Sequence, residues 1–344
     1  MTPADLSPCV VRAVRRAVAD GELGVGTVVP ERVVVERTRP GGVGEYATPA
    51  ALAVARSAGR PPRDVAGVLA RRLGAEPGIE RVEVTGPGFL NFVLPAPAAP
   101  ALVAQVIVLD IAIRDVRGGA AFLADDLDGP DGPDGPDVAD APDDAGTAAG
   151  LRQRVVRRCV QRLVRAQGGS EQDVPADLPV APLARRDADA VRRYGADAAC
   201  WAMLAVPARE TPAFSDVLLH QGEACEFFRV RYAYSRSRAL VRNAGQLGFH
   251  PEAGEVDDAP ALLRLLADHP LVLEAAAHHR APERLVRYLV ELADALLDFH
   301  HRVLPQGDEK PSAAHRARLA LAEAAGTVLA GGLALLGTDA PERL

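Results

Sequence analysis

Residues 125–137 read Asp-Asp-Leu-Asp-Gly-Pro-Asp-Gly-Pro-Asp-Gly-Pro-Asp. Proline has no backbone donor, glycine weakens helix and strand alike, and the aspartates repel one another. The repeat therefore predicts an extended, mobile linker, and the apolar residues must fold in blocks on either side of it. Nine acids and no base lie in residues 125–144, so the formal charge of −7 becomes +2 once they are set aside. Acidity is thus local, and the folded blocks can present positive faces. A solubilising tether is the plain reading of the repeat; a phosphate mimic that shields those faces is the sharper one.

A chain of 344 residues, 48% hydrophobic, has length for two or three domains and enough apolar surface for real cores. Aromatics make up only 4%, so Ala, Val and Leu must build those cores. Lys310 is the one lysine among 39 basic residues, a compositional bias from which no function is read. Cys9, Cys159, Cys200 and Cys225 are widely spaced and include no Cys-x-x-Cys, which argues against zinc and disulfides and for buried thiols in a reducing cytosol. The start of the chain has no apolar h-region, and no run of about 18 apolar residues occurs, so a cytoplasmic protein without a membrane segment is expected. Neighbouring residues on a helix point about 100° apart, so the pairs His278-His279 and His300-His301 do not suggest a metal site. Gly24-Val25-Gly26 and Gly42-Val43-Gly44 lack the Gly-Lys-Ser/Thr of a phosphate loop, no nucleophile elbow is present, and no cofactor is expected.

The fold class expected is α+β. Residues 5–20 have helical periodicity ended by Gly21, and residues 28–37 are a β-branched strand. Thr48 is an N-cap with Pro49 as the first helical residue, and Pro61-Pro62 opens another helix that stops at Gly74. Val82 and Val84 alternate with Arg81 and Glu83; Gly86-Pro87-Gly88 turns the chain, and residues 89–94 return. This is a small α/β domain over residues 1–94. Residues 95–150 comprise a β-prone stretch, 103–113, and the acidic linker. Residues 151–213 form a helical connector whose helix 151–167 has arginines on its solvent side. Residues 214–344 read as an α-bundle with a connecting helix at 214–226 and successive helices at 260–266, 270–279, 282–304 and 312–336, Pro270 and Pro282 standing at starts.

The densest concentration of chemistry is in residues 226–245. Phe227, Val230, Tyr234 and Val241 share one flank at helical spacing, Arg229, Tyr232, Arg236 and Asn243 the opposite one, and Arg231, Arg238 and Arg242 a third stripe. Five arginines and an outward tyrosine suit phosphate contact and base stacking. The same pattern also suits a solvated helix whose arginines pair with neighbouring acids.

Phe228-Arg229-Val230-Arg231-Tyr232-Ala233-Tyr234-Ser235-Arg236 resembles the opening helix of the anticodon-binding domain of arginyl-tRNA synthetases. Gly44-x-Tyr46-Ala47-Thr48, Arg60-Pro61 and Gly86-Pro87-Gly88-Phe89-Leu90-Asn91-Phe92 resemble, in the same order, the additional N-terminal domain of that family. Residues 187–204 are similar to the helix after its catalytic core, and residues 335–344 to its C-terminus. The resemblance implies that Phe89 and Asn91 contact a D-loop nucleotide, and that Tyr232 and Arg236 contact the anticodon loop. Arg229, Arg231, Arg238 and Arg242 would add phosphate contacts, and His300 and Leu344 stand where the family has Tyr and Met. The expected partner is tRNA, tRNA(Arg) first among the candidates, with an aminoacyl-tRNA synthetase as a second partner.

Neither His-x-Gly-His nor Lys-Met-Ser-Lys-Ser, the adenylate-forming motifs of class I synthetases, occurs in the chain, and every histidine lies after residue 219. The stretch between the two family-like blocks is too short for a complete catalytic core. The expectation is a non-catalytic tRNA-binding protein. Two others stay open: a docking module that has lost RNA binding, and an aminoacyl-tRNA-dependent enzyme with its chemistry in residues 95–186.

Overall fold

A computed structural model describes residues 3–38, 42–114 and 148–344, with side chains for 3–38, 42–106 and 150–344. The acidic linker at 125–144 lies outside the described residues. The chain forms two compact units, Met1–Pro97 and Ala98–Leu344.

The first unit is a four-stranded antiparallel sheet covered by helices. Helix α1 (Leu6–Ala19) is amphipathic and buries Leu6, Val10, Val14 and Ala17. Strands β1 (Glu36–Arg37), β2 (Tyr46–Thr48), β3 (Arg81–Thr85) and β4 (Phe89–Val93) run in the order β1-β2-β4-β3. Helices α2 (Ala50–Ala58) and α3 (Pro62–Leu73) pack on each other and on the sheet, closing a core that includes Val54, Leu69, Leu90 and Phe92. Each such buried aliphatic contributes roughly 1.5–3 kcal/mol over exposure. The strand expected over residues 28–37 shrinks to Glu36–Arg37. The reason is that its backbone is claimed by side chains: the Ser7 hydroxyl donates to the Val33 carbonyl (2.8 Å) and accepts from its N–H (3.3 Å), and Thr48 Oγ1 donates to the Val34 carbonyl (2.6 Å). Thr48 also accepts from the Ala50 N–H (3.3 Å), which makes it the side-chain partner of the helix start although it sits in β2 and Pro49 holds the N-cap position. Gly88, at φ +139°, lies so close to α3 that a Cβ there would stand 2.9 Å from the Pro62 carbonyl oxygen. Only glycine allows that approach, and it fixes the β3–β4 turn against the helix.

The second unit is all helical among its described residues: α4 (Ala99–Arg114), α5 (Ala148–Ala166), α6 (Ala190–Tyr194), α7 (Ala196–Leu204), α8 (Glu226–Gln246), α9 (Pro260–His279), α10 (Pro282–Phe299) and α11 (Ala313–Leu336). Residues 103–113, expected as strand, belong to α4. A β-branched stretch that is apolar except for Gln105 and Asp110 satisfies either structure, and packing decides: α4 lies on α9 and α11, burying Leu102 and Val106. Pro270 does not start a helix but sits inside α9. Its missing N–H removes the donor of the Leu266 carbonyl, and the adjacent Leu265 carbonyl accepts from the Tyr288 hydroxyl of α10 at 2.9 Å. The connecting helix expected at 214–226 is only a 3₁₀ turn, Asp216–Leu219.

Helix α11 is long and apolar enough to suit a bilayer, yet most of its surface is taken up by neighbouring helices. It crosses α8 at close range. Ser237 Oγ donates to the Ala322 carbonyl (2.9 Å), and a Cβ on Gly326 would stand 2.2 Å from that hydroxyl. Small residues at this crossing, with Ala233 and Ala244 also buried, seat α8 into the bundle along a face centred away from the expected seam; Tyr234 and Val241 are only half-buried.

The arginines of α5 are not all on its solvent side. Arg152 is 0% exposed, and its guanidinium donates to the carbonyls of Ala181 (2.8 Å), Met203 (3.3 Å), Pro207 (3.0 Å), Ala208 (3.2 Å) and Glu210. Burial lowers its affinity for the proton from the ordinary arginine value, against the pull of Glu283 and Glu210. Arg152 shares the flank of Val155, Val156 and Cys159, one turn on, so helical spacing carries it inward with them. Carbonyls from the end of α7 (Met203) and from two irregular stretches, at Ala181 and at Pro207–Glu210, replace the carboxylate it lacks. Arg162 acts likewise, its Nε donating to the Leu335 carbonyl at 2.8 Å at the end of α11.

Candidate nucleic-acid interface

Within the first unit, the turn between β3 and β4 sets Phe89 at its rim, 37% exposed. Asn91, two residues on, is 4% exposed, and its amide donates to Thr85 Oγ1 (2.7 Å) and the Glu83 carbonyl (3.4 Å) of β3. The expectation that Asn91 offers its amide to a base edge is corrected by this geometry. Both donors are spent tying β4 to β3, and the neighbouring β2 covers the residue's other side through the Ala47–Asn91 pair. Phe89 alone remains presented, its ring free to stack.

Helix α8 organises the second unit's candidate surface, and its arginines divide by what they meet. Arg229 forms a two-pronged ion pair with Asp294 of α10 (Nε–Oδ1 2.9 Å, Nη2–Oδ2 3.2 Å) and donates from Nη1 to the Glu223 carbonyl at 2.7 Å. It was expected to be a free phosphate donor; here it is a tie between helices. Arg231 lies over the Phe227 ring (5.2 Å) and faces Asp197, whose carboxyl burial lifts above the ordinary range against that cation's pull. Arg238 and Arg242 face the segment after α11, where Glu342 meets them at 3.2 and 3.9 Å.

The outward stripe is left with Tyr232, Arg236 and Asn243, and half-buried Phe228 flanks it, packed against the core. Tyr232 is 40% exposed and stacks on Phe228, one turn earlier, with centroids 5.8 Å apart and planes 15° from parallel. Arg236 is half-buried one turn further on, and its Nε has no hydrogen-bond partner. A flat aromatic pair beside a cation is a platform for a base and its phosphate. Phe228 is not among the expected contacts, although aromatics at i and i+4 on one helix are the signal for such a stack.

His300 and Leu344, the remaining expected contacts, are not brought onto this stripe by any bond. His300 Nδ1 is bonded to the Leu297 carbonyl in its own turn, and Leu344 is exposed. All four cysteines are buried and free, and burial pushes the Cys159 thiol up to about 12, so it stays protonated and inert. No cluster of three or more His, Cys, Asp or Glu residues able to hold a metal occurs among the described residues.

Two family models match the chain: the arginyl tRNA synthetase N terminal domain over residues 8–94, and the DALR anticodon binding domain over residues 230–344. Among solved structures, an arginyl-tRNA synthetase from Thermus thermophilus aligns over 100% of both chains at 14% identity with a TM-score of 0.56, a likeness of fold. An arginyl-tRNA synthetase structure from Campylobacter jejuni aligns over 46% of this chain and 35% of its own at 20% identity, with a TM-score of 0.40. Phe89 falls in the first matched region and Tyr232 and Arg236 in the second, while Phe228 stands two residues before the second begins. The chain is thus an arginyl-tRNA-synthetase-related protein, carrying an N-terminal domain and an anticodon-binding domain of that kind.

Proposed function

We propose that this protein binds tRNA, tRNA(Arg) first among candidates, without aminoacylating it. The observation that carries the reading is exposed Tyr232, stacked on Phe228 with Arg236 one turn further on, at the start of the region that matches an anticodon-binding domain. Stacking is worth roughly 1–3 kcal/mol per base and tolerates sequence, while the cation anchors the backbone. Phe89 would add a second stacking contact from the other unit. The non-catalytic half of the proposal is supported by the sequence: His-x-Gly-His and Lys-Met-Ser-Lys-Ser are absent, and Lys310 is the one lysine. A cytoplasmic location and a synthetase as further partner belong to the same proposal.

The test is a band shift against a total tRNA pool at rising salt, followed by sequencing of the retained RNA. Binding that weakens steeply with salt, is enriched in tRNA(Arg), and is lost in Tyr232→Ala/Arg236→Glu supports the reading; flat, salt-insensitive retention rejects it. One observation favours a second reading, a protein-docking module. Arg229, Arg238 and Arg242 are already ion-paired within the protein, which lowers the free positive charge on α8. The double variant discriminates the two, since a docking module keeps its partner in a pull-down when the stack and Arg236 are changed.

A further inference from the structure

The segment that follows α11 lies against the third stripe of α8. Ser235 Oγ donates to the Glu342 backbone carbonyl at 3.1 Å, and Arg242 Nη2 approaches the same oxygen at 3.5 Å. The Glu342 carboxylate meets Arg238 Nε at 3.2 Å and Arg242 Nη1 at 3.9 Å. One hydroxyl and two guanidinium groups thus converge on a single acidic residue. Ser235 is buried, and its hydroxyl bond to Glu342 places this segment against that part of α8. A hydroxyl and two arginines spread over two turns of α8 form a donor set suited to a phosphodiester, and here Glu342 occupies it, with its carboxylate on the two arginines and its backbone carbonyl on Ser235.

We infer that Ser235, Arg238 and Arg242 form a phosphate seat for an RNA backbone, and that Glu342 occupies it as a built-in competitor which RNA must displace. This inference rests on the RNA-binding reading and adds its regulation. The pair is open to solvent on both sides, with side chains 36% and 56% exposed for Arg238 and Glu342, so displacement costs little. RNA binding would be restrained, not blocked. The seat adjoins the Phe228–Tyr232 platform along the same helix, so a strand stacked there would bring its next phosphate toward Arg238 and Arg242. An exchange of carboxylate for phosphate keeps the local charge nearly balanced and discourages weak, non-specific polyanions from settling on α8.

The experiment uses the full chain and compares Glu342→Gln with the unchanged protein, for tRNA and for inorganic tripolyphosphate as a minimal probe. The expected result is an affinity for tRNA higher by about threefold at low salt, the weight of one exposed ion pair. The salt dependence should steepen by about one phosphate contact, since Arg238 and Arg242 are released to the backbone. Hydrogen exchange of residues 338–344 in the unchanged protein should rise when tRNA is added. If tRNA binds but Glu342→Gln leaves affinity and salt slope unchanged and the segment stays protected, the seat is a structural clasp and the inference is overturned while the RNA-binding reading stands. If tRNA fails to bind but tripolyphosphate releases the segment and binds Glu342→Gln more tightly, the seat stands and the RNA-binding reading falls. If neither probe binds or moves the segment, both are overturned.

Discussion

Helices α5 and α8 are both rich in arginine and both amphipathic, yet they use the residue in opposite ways. On α5, Arg152 is sealed from water and holds five carbonyls, four of them in irregular stretches and one at the end of α7, and Arg162 holds the end of α11. On α8, three arginines meet carboxylates at the rim of the bundle, while Arg236 stands beside the Phe228–Tyr232 stack. The lesson is that a guanidinium's role follows from the acceptors its surroundings leave unpaired. Where loops bring bare carbonyls inward, the fold needs a buried donor cluster and arginine supplies it. Where helices meet at the surface, acids satisfy it, and only what they leave over is open to a ligand.

The comparison breaks most visibly at Arg152. Arg152→Met should strand several buried carbonyls and cost about 3–5 kcal/mol, read as a lower urea midpoint; a change below about 1 kcal/mol would mean that water replaces the side chain without loss.

A second test sets buried against exposed histidine. His269 of α9 is 1% exposed, stacks on Tyr288 at 5.6 Å, and neither ring nitrogen has a hydrogen-bond partner, whereas His278 on the same helix is in solvent. Burial lowers the His269 pKa from 6.5 to about 4. Above pH 6.5 both folded and unfolded chains hold it neutral and stability is unaffected. As pH falls from 6.5 toward 4 the unfolded chain takes up the proton first, so stability drops by about 3 kcal/mol across that window and levels below it. His269→Phe should flatten this part of the profile in denaturant melts from pH 7 to 4, and His278→Phe should not.

The crossing of α8 and α11 gives the next effect. Gly326→Ala places a methyl against Ser237 and should cost about 1–3 kcal/mol by overpacking, measured as a shift in thermal midpoint; Gly326→Ala combined with Ser237→Ala should recover part of it. At the surface, Tyr232→Ala should weaken RNA binding by about tenfold through lost stacking while changing stability by less than about 0.5 kcal/mol. The smallest effect belongs to Arg229. Arg229→Gln should leave RNA affinity within about twofold and cost no more than about 1 kcal/mol of stability, because its hydrogen bonds go to Asp294 and Glu223. A large loss of RNA affinity there would restore it to the contact surface and erase the distinction between tying and binding arginines.

Much of this was legible in the order of residues. Gly86-Pro87-Gly88 between alternating runs marked the β3–β4 turn, Pro61-Pro62 and Gly74 bounded α3, and the apolar spacing around Phe227 and Val230 announced α8. Tyr232 could be placed outward from periodicity alone. The interior of α9 could not be read, because Pro270 normally ends a helix and the packing that keeps this one continuous, with the Tyr288 hydroxyl on the Leu265 carbonyl, comes from residues at least 23 positions away. The stretch 103–113 misled because its many β-branched and apolar residues fit strand or helix, and contact with α9 and α11 settles it.

What the sequence determined by itself is local: turns, caps, helix periods and the segregation of acidic charge into residues 125–144, since each depends on neighbours a few positions away. What only the tertiary structure decided is which polar groups remain free. Asn91, Arg152 and Arg229 carry the same donors in any fold. Their partners, Thr85 across a hairpin, carbonyls 29 to 58 residues distant, and Asp294 at 65, become neighbours only when the chain packs, because hydrogen bonds are satisfied in space and not along the chain.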